Sequence, residues 1–246
     1  MKQIIATAVL LLGSASSYAA TTASASLVNI QAQYFNGADI SLLAPTLASN
    51  LNVNGSAINQ PGTNEHLATF YTPINAVKQV IFPGIGNGSA TALIDDENYE
   101  ISAYSKADNG VINASSSVSS YFDYKANTLL LISADAFISG ETDGSPLDSF
   151  WDVNAWINAS SFSFENGVWE SYNYSASLFA SLGLGDDVAT SKTLSLFYYN
   201  TVDTRLSLNF EVRTTAVVAV PEPSTYVMLG LGLGLLGVAA RRRKSA

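Results

Sequence analysis

An antiparallel β-sandwich, jelly-roll-like in kind, is the fold class that this 246-residue sequence predicts, and three observations carry the prediction. The body is rich in Ser, Thr, Asn, Ala, Tyr and Phe, with only 13% charged residues. That composition suits half-buried strands joined by polar turns. In Arg205–Arg213, Leu206, Leu208, Phe210 and Val212 occupy every second position with polar residues between them, the pattern of a strand buried on one face. No long segment of the body repeats its apolar residues at the 3.6-residue period of an amphipathic helix, which leaves short strands packed in two layers.

The elements follow in order. Met1-Lys2, an apolar run from Ile4 to Gly13 and the small-x-small site Ser17-Tyr18-Ala19 make residues 1–19 a secretory signal peptide, too short to span a membrane. Residues 20–219 form the sandwich domain, long enough for one substantial core. Ser26–Phe35, Val77–Phe82 and Tyr99–Tyr104 read as strands of modest signal. Ala38–Asn64, with Pro45, Gly55, Pro61 and Gly62, reads as an extended loop or a short helix. Val118–Tyr124 and the more continuously apolar Leu129–Ile138 are the next strands. Glu165-Asn166-Gly167 joins Ala155–Phe164 to Val168–Phe179 as a hairpin, because Asn-Gly favours the left-handed angles of a tight turn. A second hairpin is expected between Leu194–Tyr199 and Arg205–Arg213 across residues 200–204. Thr214–Ala219 leads out of the last strand.

Residues 220–246 are organised differently. Val220-Pro221-Glu222-Pro223-Ser224 is held extended by two prolines that fix φ near −65° and remove two backbone donors. Tyr226–Ala240 is apolar or small and would rise roughly 22 Å as a helix, a short transmembrane span against a hydrocarbon core of about 30 Å. Arg241, Arg242, Arg243 and Lys244 would hold the end on the cytoplasmic side. This order of kinked motif, apolar helix and basic cluster resembles the PEP-CTERM protein-sorting signal of Gram-negative bacteria, over about a tenth of the chain. The resemblance implies an exported protein whose tail is recognised and removed by an exosortase, a membrane-embedded enzyme, in hosts that make exopolysaccharide and biofilm matrix.

Composition narrows the function of the body. Without the two targeting segments, six cations face 20 acids if Glu222 is retained, a net charge of −14. Nucleic acid is therefore excluded as a partner, since phosphate binding needs basic patches. The chain has no cysteine, which rules out disulfides, thiol chemistry and a lipidated N-terminus. His66 is the only histidine and no Gly-x-Ser-x-Gly elbow accompanies it, so a non-enzymatic body is expected.

Two kinds of site remain. Glu141, Asp143 and Asp148 alternate in a turn with Asp152 close behind, a donor set of the oxygen type that calcium takes, though not at EF-hand spacing. Asp95-Asp96-Glu97 with Glu100 is a second acidic cluster. Trp169 alternates with Ser171, Asn173 and Ser175, and Trp151 and Trp156 lie on the approach to the same hairpin. An indole flanked by amides and hydroxyls can stack on a sugar ring, so Trp151, Trp156, Trp169 and Asn173 are the candidate carbohydrate residues; the competing role for the tryptophans is to close the core. Asn54, Asn87, Asn113, Asn158 and Asn173 each begin an Asn-x-Ser sequon. The expectation is an exported surface or matrix protein that associates with polysaccharide. The alternative is a carbohydrate-binding module with a defined saccharide, with calcium as a candidate cofactor.

Overall fold

The structure is a computed structural model that describes residues 20–35, 39–40, 46–57, 62–69, 74–94, 99–142, 149–165, 168–183, 188–201, 203–218 and 233. In chain order the strands are β1 (Thr21–Tyr34), β2 (Asp39–Ile40), β3 (Thr46–Ser56), β4 (Thr63–Thr69), β5 (Ile74–Phe82), β6 (Gly86–Ile94) and β7 (Tyr99–Ala107). They continue as β8 (Gly110–Tyr124), β9 (Thr128–Thr142), β10 (Phe150–Glu165), β11 (Val168–Gly183), β12 (Val188–Asn200) and β13 (Thr204–Val218). One sheet runs β12-β9-β1-β7-β6-β5, with β2 paired to β1 beside this row, and the other runs β11-β10-β13-β8-β3-β4. Every pairing is antiparallel. The sheets stack in step, β12 on β11, β9 on β10, β7 on β8 and β13, and β5 on β3 and β4.

Alternation explains the layering. Leu206, Leu208, Phe210 and Val212 of β13 are all buried, and each contributes about 1.5–3 kcal/mol by leaving water. Alanines fill core positions of both sheets, Ala90, Ala92, Ala103, Ala134 and Ala136 in the first and Ala155 and Ala159 in the second, so the sheets can approach closely. Side-chain hydrogen bonds cross that core from sheet to sheet. The Ser105 and Thr214 hydroxyls meet at 2.8 Å, and the Ser116 hydroxyl donates to the Thr91 carbonyl at 2.7 Å.

Several expectations are met and others are corrected. The expected pairing of the two strands that flank residues 166–167 is present, with β10 and β11 in unbroken register from Glu165↔Val168 to Phe150↔Gly183, while residues 166 and 167 lie outside the described residues. Residues 38–64 are not chiefly loop or helix, because β3 and the start of β4 lie there and pair with β8 and each other. The expected hairpin between residues 194–199 and 205–213 does not form. β12 pairs with β9 in the first sheet, whereas β13 pairs with β10 and β8 in the second. The link between them crosses the layers and is pinned there, since the Asp203 carboxylate accepts from the Ala126 amide at 2.9 Å and from Lys125 at 3.1 Å. Thirteen strands among the described residues also exceed the eight of a jelly roll. The expected signal peptide at residues 1–19 and the helix at 226–240 lie outside the described residues, 233 aside. Among the described residues no helix is long and apolar enough to cross a membrane.

Candidate functional site

The tryptophans expected to form one surface are divided by the sheet. Trp151 sits at an odd position of β10 and faces the core, 1% exposed. Its ring packs where a Cβ at Gly140 of β9 would have to go. It offers no face to a ligand, which corrects its assignment as a carbohydrate residue. Trp156, five residues on, necessarily points to the other side, and the Arg213 guanidinium stacks over it at 5.4 Å from the ring centre. Asn173 is exposed on β11 opposite Ser160, and Trp169 pairs with Phe164 near the hairpin turn. At about 3.3 Å per residue, the eight positions between residues 156 and 164 separate those two register sites by roughly 26 Å. They are not a single stacking platform.

Part of the second sheet's outer face is a hydrogen-bonded polar surface, although the side-chain Oδ1 atoms of Asn52, Asp152, Asn154 and Asn158 have no hydrogen-bond partner among the described residues. Asn113 donates to Asn54 at 3.0 Å and accepts from Thr215 at 2.7 Å, while Ser119 donates to Asn209 at 2.9 Å. All five sequon asparagines lie within strands, β3, β6, β8, β10 and β11, rather than on loops.

The proposed calcium set is likewise dispersed. Glu141 faces outward from β9 in the first sheet and Asp152 outward from β10 in the second, so their side chains diverge across a sandwich with sheets about 10 Å apart. They cannot share an ion, and that pairing is corrected. Asp143 and Asp148 lie outside the described residues, as do residues 95–97. Among the described residues no three His, Asp or Glu side chains cluster as a metal site.

What the fold does assemble is an open trough of about 810 Å³ on the outer face of the first sheet. Four strands build it. β1 supplies Ser24 and Ser26 as a floor of short hydroxyls. β7 brings Tyr104 opposite Ser24 and Ser102 opposite Ser26. β9 brings Ser139 and Phe137 to the other side of the same two serines, and β12 adds Ser191 beside Phe137. Small residues in the middle with an aromatic on each flank leave a depression across the sheet, roughly 14 Å from β7 to β12 at ordinary strand spacing. Phe137 is 47% exposed. The Ser24 and Ser139 hydroxyls are 2.7 Å apart. Hydroxyls both donate and accept, so this floor can match the hydroxyl pattern of a polyol while the aromatic faces cover its C–H surface. Among the described residues that line the trough, Glu100 is the one carboxylate and there is no lysine or arginine.

One end of the trough is stiffened by Asp135, the next outward residue of β9. It accepts from the Asn29 amide at 2.9 Å and from the Thr193 hydroxyl at 2.7 Å. These bonds, Asn29 first and then Thr193, hold its carboxyl below the usual aspartate range. Asn29 has φ +51° at a bulge where β1 shifts register between Val28 and Gln31. Asp135 thereby ties the bulge in β1 to the edge strand β12. The alternation of hydroxyls in β1 is visible in the sequence as Ser24 and Ser26, but nothing local joins them to Tyr104, Phe137 and Ser191.

The sorting residues Val220, Pro221, Glu222, Pro223 and Ser224 and the cluster Arg241, Arg242, Arg243 and Lys244 lie outside the described residues. A family model of the PEP-CTERM protein-sorting motif matches residues 219–244. No curated protein matches the sequence. The chain therefore carries a signal for export and membrane-associated sorting, with exosortase as the processing partner that the motif implies.

Proposed function

We propose that the exported chain is a non-enzymatic protein of the cell surface or extracellular matrix of a Gram-negative bacterium, and that its sandwich domain holds exopolysaccharide in the trough on the first sheet. The sorting motif supports the destination. The observation that carries the binding reading is the hydroxyl floor between Tyr104 and Phe137. A body of net charge −14 with no cation lining the trough favours a neutral polysaccharide, because a polyanion would be repelled. The tail is the substrate of exosortase, with Pro221-Glu222-Pro223 as the recognised motif, the apolar segment as a transient anchor and the basic cluster as its cytoplasmic stop.

The test uses mature protein recovered from the host and polysaccharide released from the same biofilm, with retention followed by affinity electrophoresis. Phe137→Ala and Tyr104→Ala should each weaken retention about tenfold, the loss of roughly 1.4 kcal/mol of stacking contact. Unchanged retention in both variants, with unfolding temperatures intact, refutes the trough. A chelator arm separates the alternative reading of a calcium-dependent module, and the appearance of new reducing ends would convert the protein to an enzyme.

A further inference from the structure

We propose that a second copy of this chain pairs edge to edge along β11, extending the second sheet across a two-fold axis normal to the layers. The two sides of the sandwich are built unequally. On one side the edges are β4 and β5, seven and nine residues long, and the Lys78–Glu65 ion pair at 2.8 Å ties them together. On the other side the edges are β11 and β12, sixteen and thirteen residues long. Charges, prolines, bulges and shortness are the usual protections of a free edge. β11 has one charge, Glu170, no proline and no register shift against β10. β12 has one charge, Lys192, no proline and an unbroken register against β9. Two long, bulge-free, nearly uncharged strands stacked at one side form a template for backbone hydrogen bonding.

The occupant follows from the register that β11 can make with itself. A two-fold axis normal to the sheet keeps each face on its own side, so opposed residues must share parity. Pairing Ser175 with Ser175 of the second copy satisfies this and opposes fifteen of the sixteen residues, from 168 to 182. Asn173 then meets Ser177, Ser171 meets Phe179, Tyr172 meets Leu178 and Tyr174 meets Ala176. Glu170 falls opposite Ala180, so no like charges are opposed. Phe179, 59% exposed in the single chain, gains a neighbour strand. The edge is roughly 50 Å long and spans two layers about 10 Å apart, which offers on the order of 1,000 Å² per partner, above the roughly 800 Å² that specific interfaces use. The same axis keeps both troughs on one face of the dimer. The proposal does not depend on what the troughs bind.

Both copies are strongly acidic, so screening must favour this association, the reverse of an interface held by ion pairs. The experiment is sedimentation equilibrium of the mature protein recovered from its host, over micromolar concentrations at low and high salt. A dimer that tightens as salt rises is expected. Ser175→Lys/Ser177→Lys should weaken it about tenfold, because the new lysines face each other across the axis and diagonally. Those lysines also lower the overall negative charge, so a non-specific electrostatic effect would act in the opposite direction. His66→Lys, on the exposed edge strand β4, should leave the dimer unchanged. Hydrogen exchange needs no variant, and outward amides of β11 should exchange more slowly in the dimer than in dilute monomer. A chain that stays monomeric in high salt, a dimer loosened by salt, equal effects of the β11 and β4 lysines, or β11 amides that gain no protection would each overturn the proposal.

Discussion

Replacing Gly140 with alanine tests how the two sheets close on each other. Gly140 is a core-facing residue of β9, and a Cβ built there falls within the six-membered ring of Trp151, against Cδ2, Cε2 and Cε3. The indole is among the largest fully buried side chains and has no solvent to swing into. The backbone at Gly140 lies outside the left-handed region, so alanine itself is not strained. On an open strand the change would stabilise the protein by about 0.5–1 kcal/mol through the entropy of the unfolded chain. Overpacking against a rigid ring reverses the sign and costs about 1–3 kcal/mol. For a domain of this size each kcal/mol moves the melting temperature by about 2–4 °C, so a fall of roughly 2–12 °C is expected. The assay is thermal unfolding followed by circular dichroism on wild type, Gly140→Ala, Trp151→Leu and the double variant. Trp151→Leu alone should cost about 2–5 kcal/mol. In its background, Gly140→Ala should cost nothing or stabilise, a coupling that marks direct contact. A rise in melting temperature for Gly140→Ala, or the same penalty with and without the indole, would refute this packing.

Three further outcomes are expected. Asp135 is depressed by its bonds from Asn29 and Thr193, so its contribution is complete above the ordinary aspartate value of 3.8 and is lost as pH falls through the lower folded value. Asp135→Asn should therefore change the pH slope of the unfolding temperature only in the acid range, with little slope change near neutrality. Arg213→Ala should uncover the outer face of Trp156, raising its accessibility to an aqueous fluorescence quencher, at about 0.5–1 kcal/mol in stability. Intact mass spectrometry of protein recovered from the host should give a species that starts at Ala20 and lacks the residues beyond the Pro221 region. A chain ending at Ala246 and confined to membranes would make the tail a permanent anchor.

Legibility varied with how local the cause was. β13 is plain in the sequence because its alternation is perfect and its four apolar residues are all buried. β1 is weaker for a visible reason: the bulge at Asn29 inserts one residue, so the buried positions change from odd (Ala23, Ala25, Leu27) to even (Ile30, Ala32). β6, Gly86–Ile94, leaves almost no signal, since glycine and alanine fill its core positions 86, 88, 90 and 92. A Cβ at Gly88 would approach Val53 Cγ1 within 2.8 Å, so the feature that hides the strand is the one that lets the sheets meet. The divergence of Trp151 and Trp156 was open to the parity rule once β10 was known to begin at Phe150 rather than at residue 155.

The linear signals of this protein were determined by its sequence alone. The kinked motif, apolar run and basic cluster are read by a partner along the chain, so their order suffices. Strand identity and the inward face were equally local where the two-residue alternation is intact, as in β13, but not in β6, whose core positions are glycine and alanine, nor in β1, where a bulge changes the parity. Partner choice was not local. Residues 200–204 are as long as a hairpin loop, yet the strands they join lie in different sheets, β12 against β9 and β13 between β10 and β8. The trough was decided the same way. Its floor comes from residues 24 and 26, its flanks from 104 and 137 and its far side from 191, and only a completed four-strand register brings those side chains to one surface.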